Sequence, residues 1–360
     1  MKKSITILYL LTVLVILSGC RNQTSQNRNG ITVKDMLGRQ VIVPSNVERI
    51  VGVRAGTLRL LMYMDASDMI AGIEEPETRS MRPYLTPYPE LLKLPIIGPL
   101  MGGDAELILK ARPDVIFTSY SNIGEADILQ KMTGIPVIAL ECPEMATTAR
   151  DTLYASLRLI GTVLNKKERA ESLIEYIQST IYELERRTAN IPEKDKPSAY
   201  IGGVPYSGAK GITSTQPYFP PFVFTNAKNA ASVLEKRLIS HVKGTYIDKE
   251  QLLLWDPDFI FIDESGLNLS LEDLKAGKGL NELKALKNGK VYILQPYNNY
   301  SVNYELALIN SWYVGKTVYP EAFSDIEFME KGAEISEMFF GKQVFNEWLT
   351  ENSFQAIRGY

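Results

Sequence analysis

The segment QPYNNYSVNY (295–304) sets Tyr297, Asn298, Asn299 and Tyr300 side by side. A tyrosine offers a flat apolar face and a hydroxyl, a pairing that suits a bulky, partly polar small molecule. Nineteen tyrosines against twelve phenylalanines give the whole chain that leaning. Tyr206 and Lys210 in GGVPYSGAKGITS, followed by Tyr218 and Glu264, are further candidates in the second half. Arg54, Thr57, Glu74, Glu75, Tyr120 and Glu141 stand just past apolar runs in the first half. Arg54, Arg79, Arg82 and Lys210 could balance an anion, whereas Glu74 and Glu75 leave the sign of the site open.

Other chemistry is poorly supplied. His241, in LISHVKGTY, is the only histidine and reads as structural, whereas a bare zinc or manganese site would want several. Oxygen ligation of ferric iron by tyrosinate and carboxylate stays open. No histidine lies near an obvious serine or cysteine nucleophile, and no full dinucleotide fingerprint occurs. SGAKG lacks the spacing, and the Ser or Thr after lysine, of a phosphate loop. The chain reads as a non-enzyme with no cofactor of its own and an undetermined metal content.

A second pattern is a repetition. DAELILKARPDVIF (104–117) and DKEQLLLWDPDFIF (248–261) share seven of fourteen positions at an offset of 144. Asp104 and Asp248 are suitable helix N-caps, and Glu106 and Glu250 fall in first turns, where the helix dipole favours an acid. Pro113 and Pro257 stop the helices before VIF and FIF begin strands. One copy alone would be a capped helix with a well-placed acid; two copies suggest equivalent parts of two lobes.

The elements that must position these residues are short apolar runs: RIVGV (49–53), MIAGI (69–73), DVIFTS (114–119), PVIALE (136–141), AYIGGV (199–204), DFIFID (258–263) and KVYILQ (290–295). Alternating with helical patterns, they predict an α/β fold of two lobes, each with a central, mostly parallel sheet flanked by helices. Ligands of open α/β sheets lie beyond the carboxyl ends of the strands, the rule that selects the candidates above. Residues 147–189 carry Leu153, Leu157, Ile160, Leu164, Leu173, Ile177, Ile181 and Leu184 at helical spacing. They predict one long helix joining the lobes, with Asn165 the place for a break. Such a connector limits how far two lobes swing.

The N-terminus, MKKSITILYLLTVLVILSGC, has two lysines, a fifteen-residue apolar run and LSGC, a pattern similar to a bacterial lipobox with Cys20 as the lipidated residue. Its removal leaves 37 basic against 42 acidic residues, a net charge of −5, which argues against nucleic acid as a partner. With Cys20 lipidated, Cys142 has no disulfide partner. The expected organisation is a signal peptide (1–19), a tether (20–30), an N-terminal lobe (31–146), the linking helix (147–189) and a C-terminal lobe (195–360).

ITVKDMLGRQVIVPSNVERIVGV (31–53), the two repeated units, the linking helix and YPEAFSDIEF…FFG together resemble the ABC-transporter substrate-binding lipoproteins of the cobalamin and ferric-siderophore type. The resemblance implies a monomer on the extracytoplasmic face of the cell membrane, lipid-anchored through Cys20. It would capture an iron chelate between its lobes and deliver it to a permease dimer with its ATPase. Corrinoid, haem or oxygen-coordinated free metal are the alternative ligands, and a lipid-anchored sensor or enzyme the alternative roles. The resemblance further implies that Glu106 and Glu250, one per lobe, dock onto permease arginines.

Overall fold

The structure is a computed structural model and describes residues 30–79, 82–205, 208–237, 244–276 and 279–357. All seven apolar runs contain strand. In the first half Ile50–Val53, Val115–Thr118 and Val137–Ala139 pair in parallel, with Val115–Thr118 in the middle. In the second half Phe259–Asp263 pairs in parallel with Ser198–Gly202 and with Val291–Leu294. These strands are apolar throughout because helices cover both faces, so alternation would bury polar side chains. The antiparallel hairpin Gly30–Lys34 and Gln40–Pro44 precedes the first sheet.

Residues 147–189 fold as two helices, Arg150–Val163 and Lys167–Thr188, and Asn165, at φ 55°, makes the break. They run antiparallel: Arg158 reaches Glu171 with two bonds of 2.8 and 2.9 Å, and Gly161 lies against Ala170. A Cβ at Gly161 would sit 3.0 Å from that of Ala170, so the close crossing depends on glycine. The 22-residue arm, about 33 Å long, is the long helix that connects the halves. All eight apolar positions predicted for this segment are buried.

One core runs through the molecule, taking in Leu60 of the first half, Ile177 of the linker, and Phe261, Trp312 and Phe339 of the second. The helix Phe328–Phe340 returns to the first half. The ring of Phe339 meets Tyr63 edge-on at 4.8 Å, and Tyr88 donates to the Phe340 carbonyl at 2.6 Å. The two sheets are therefore held at their junction by buried contacts as well as by the linker.

Candidate functional site

The repeated unit folds the same way twice. Asp104 accepts from Leu107 N at 2.9 Å and Asp248 from Gln251 N at 2.7 Å, capping helices Ala105–Ala111 and Lys249–Trp255. Each helix ends on a left-handed residue, Arg112 (φ 51°) or Asp256 (φ 40°), before its proline. The aspartate after that proline has a function that pattern reading missed. Asp114 accepts from Glu48 N and Arg49 N, both at 2.9 Å, and Asp258 from Ser198 N and Oγ at 2.9 and 2.8 Å. Each ties the start of the neighbouring parallel strand, whose first N–H groups would otherwise lack partners. Glu106 and Glu250 are exposed, and neither carboxylate pairs among the described residues. Leu109 and Leu254, one turn further along the same helices, are 44% and 79% exposed.

At the junction of the lobes the predicted residues divide into two groups. Tyr120, at φ 46° and half exposed, donates to the Cys142 carbonyl at 3.2 Å and shares a 2.8 Å bond with Ser301 Oγ of the second half. Arg54 reaches the Tyr120 carbonyl at 2.9 Å and Glu125 at 3.2 Å, so it braces this rim. Tyr300 and Ser301 both lie in the left-handed region, at φ 53° and 74°, an uncommon backbone for non-glycine residues that the surroundings must enforce. Ser301 comes so close to Gly56 (φ 83°) that a Cβ there would meet its Oγ at 2.7 Å. The guanidinium of Arg82 lies 4.2 Å from the Tyr300 ring centre. Neither Tyr300 OH nor Arg82 Nε has a hydrogen-bond partner, although both are buried.

In the other group, burial corrects Tyr297, Thr57 and Glu74. Tyr297 is 2% exposed, donates to Gln216 Oε1 at 2.7 Å and packs on Phe219, so it belongs to the core. Thr57 is fully buried, bonded to the Val53 carbonyl and Ser119. Glu74 faces inward as a latch: Oε1 accepts from Gly102 N and Gly103 N at 2.6 and 2.8 Å, and Oε2 from Arg54 N at 2.7 Å. Tyr218, Lys210 and Asn298 are half-buried in the second half, and Asn298 pairs through its backbone with Val302. Tyr206, Cys20 and His241 lie outside the described residues.

Sequence reading also missed a buried ionic cluster. Arg59, inside the apolar run TLRLLMY, is 1% exposed and donates to the carbonyls of Val302 (2.8 Å), Tyr300 (3.0 Å) and Asn299 (3.3 Å). Its guanidinium also lies over the ring of Tyr84, 4.7 Å from the centre. Tyr63 donates to Glu305 and Tyr84 to Glu77, while Arg82 stands 3.9 Å from Glu77. A charged residue in an otherwise apolar helix was the available signal, since such a residue needs buried partners.

Beside Arg82 a cavity of about 300 Å³ opens between the halves, with Arg82 and Pro83 on one side and Glu264, Gln295, Asn299 and Asn303 among those on the other. Arg82, Glu264 and Asn299, all picked from the sequence, thus meet in one place. Among the described residues no three His, Cys, Asp or Glu side chains converge as a metal site.

Burial pushes the Glu74 carboxyl up to about 7, against three N–H donors that favour its ionised form, and pushes Asp263 up to about 7. Glu77 and Glu305 are raised for the same reason. The folded chain therefore keeps protons that the unfolded chain releases near its ordinary carboxyl values, so stability falls as pH rises. This contribution is complete below about pH 4 and is lost as pH passes about 7. Urea midpoints measured from pH 4.5 to 8 should decline over that window, less steeply in Asp263→Asn; equal slopes would refute the assignment to Asp263.

Two parallel α/β sheets, a rigid helical joint and a cleft rimmed by arginine and tyrosine define a two-lobed solute-capture protein, not an enzyme. The chain belongs to the periplasmic binding protein family, whose model matches residues 57–297. It is 23% identical to the molybdate-binding protein of Haemophilus influenzae, covering 82% of this chain and 86% of that protein. It is 24% identical to the Fe(3+)-citrate-binding protein of Bacillus subtilis, covering 79% and 86%. A solved periplasmic solute-binding protein from Veillonella parvula superposes with a TM-score of 0.69 at 22% identity, covering 90% of this chain and 95% of that one.

Proposed function

We propose that this protein captures an anionic iron chelate in the inter-lobe cleft and delivers it to the permease dimer of an ABC importer. The observation that carries the ligand class is the Arg82–Tyr300 pair. The Arg82 guanidinium lies against the Tyr300 ring and lines the cavity between the two halves together with Asn299. A guanidinium on a cleft wall donates charge-assisted hydrogen bonds to a ligand with acceptor oxygens. Relatives named for binding molybdate and ferric citrate favour a metal-bearing anion. Glu106 and Glu250 serve as the permease contacts, with Leu109 and Leu254 beside them, and Cys20 carries the lipid that holds the monomer at the extracytoplasmic face.

Native mass spectrometry and visible absorbance of the mature protein, after exposure to ferric chelates, haem, corrinoids and free iron, test the ligand class. One ferric chelate per chain is expected, with affinity at least tenfold lower in Arg82→Gln, because a hydrogen bond to a charged group contributes about 1.5–3 kcal/mol. Retention of haem or a corrinoid instead, or wild-type affinity in Arg82→Gln, would overturn it. The molybdate-binding relative supports a second reading, capture of a bare oxyanion, and molybdate titrated in the same assay decides between them.

A further inference from the structure

The loop that leads into the helix Ala105–Ala111, GPLMGG (98–103), is closed and buttressed from below. Asp104 N donates to the Ile97 carbonyl at 2.8 Å and closes its base. Gly102 (φ 111°) and Gly103 (φ 74°) turn through the region that favours glycine. A Cβ at Gly103 would also meet Ile108 and Val53 at 2.7 and 2.9 Å. Glu74, 1% exposed, accepts from both glycine N–H groups through one carboxylate oxygen. The tip of this fixed loop is apolar: Leu100 and Met101 are 68% and 58% exposed. Arg54 joins the loop to the helix Ile123–Thr133. A Cβ at Gly102 would lie 3.9 Å from Arg54 Nε, and the guanidinium reaches Glu125 at 3.2 Å. Ile123, the first residue of that helix, is 51% exposed. Holding three large apolar side chains in water with a buried carboxylate does nothing for folding, which gains from burying them. Clustered exposure of this kind marks an interaction site.

The second lobe repeats the arrangement. Tyr246, 52% exposed, stands two residues before the cap Asp248 and four before Glu250. Met101 stands three before Asp104 and five before Glu106. Each exposed acid thus follows an exposed apolar residue at the same end of its lobe. We propose that Leu100 with Met101 in one lobe, and Tyr246 in the other, are apolar permease contacts that seat in apolar recesses beside the arginines. The proposal rests on the docking role of Glu106 and Glu250. Continuity with both acids selects the permease as occupant, and neither apolar group lines the cavity between the halves. The two kinds of contact divide the work. Charge steers the encounter and is screened by salt, whereas apolar burial holds the docked complex and is not.

Docking is read directly, with no small molecule present, as binding of the mature full-length protein to its permease–ATPase complex in lipid nanodiscs. Leu100→Ser with Met101→Ser is expected to weaken binding at least tenfold, and Tyr246→Ser at least threefold, by loss of apolar burial. Thermal midpoints should stay within a few degrees, because exposed side chains contribute little to folding. Wild-type affinity in either variant would overturn the proposal. So would a wild-type dimer that Leu100→Ser with Met101→Ser converts to monomer, which would assign the loop to a second copy. The variants lie in different lobes, so if one misfolds the other still decides. Binding lost in Glu106→Arg with Glu250→Arg but kept in both serine variants would retain the acids and reject the apolar seats. Binding kept in the charge-reversed protein would reject the docking reading itself.

Discussion

Cells carrying Glu106→Arg together with Glu250→Arg are expected to take up ligand no faster than cells lacking the protein, while the purified double variant binds ligand with unchanged affinity. Both carboxylates are exposed and unpaired among the described residues, so reversal breaks no internal contact. The first-turn dipole loses its acid, a cost of about 0.3–1 kcal/mol per helix, and the caps Asp104 and Asp248 stay in place. At a permease surface the balance differs. Breaking a desolvated charge pair costs about 2–5 kcal/mol, and placing arginine against arginine adds repulsion. Two such losses exceed what a transient docking interface supplies. Uptake of radiolabelled ligand read beside affinity in solution separates docking from capture. Uptake at half the wild-type rate or more, or a matching loss of ligand affinity, would remove these glutamates from the docking role.

Arg59→Met is expected to lower global stability by about 3–5 kcal/mol, the usual cost of removing one partner from a buried ionic group. Methionine fills much of the space but supplies no donor. Three carbonyls of the 299–302 segment then face a buried methyl group, and Glu305 loses the nearby positive charge. That segment carries Tyr300 and Ser301 in left-handed conformations, which the Arg59 bonds hold in place. Ligand affinity should therefore fall along with stability, although Arg59 lies beneath the cleft and not on its wall. Urea unfolding at pH 7 measures the first effect and ligand titration the second. A shift under about 1 kcal/mol would mean that the lobes are joined by apolar packing alone.

How much of this was legible in advance depended on the range of the interaction. Strands, caps and the break at Asn165 are local matters of apolar runs, side-chain oxygens and turn residues, and they stood in the sequence. So did the eight buried positions of the linker, because a helix repeats every 3.6 residues wherever it lies. The rule that ligands gather past strand ends picked Glu264 and Asn299, which line one cavity with Arg82, a residue picked for its charge. It failed at Glu74, Thr57 and Tyr297, which also stand in that neighbourhood but turn inward. Position after a strand fixes where a Cα is, whereas the direction of its side chain depends on which distant groups need a partner. For Glu74 those were the amides of Gly102 and Gly103, 28 and 29 residues away.

The sequence by itself determined the α/β class and the two equivalent helices, each capped by an aspartate and carrying an exposed glutamate in its first turn. Each follows from contacts within a turn or a strand. Only the tertiary structure decided that Arg59 reaches across 240 and more residues to hold the Tyr300 loop. It alone decided that Asp114 and Asp258 tie neighbouring strands. Buried polar groups must find partners wherever the fold brings them, and separation along the chain gives no sign of which ones they will be.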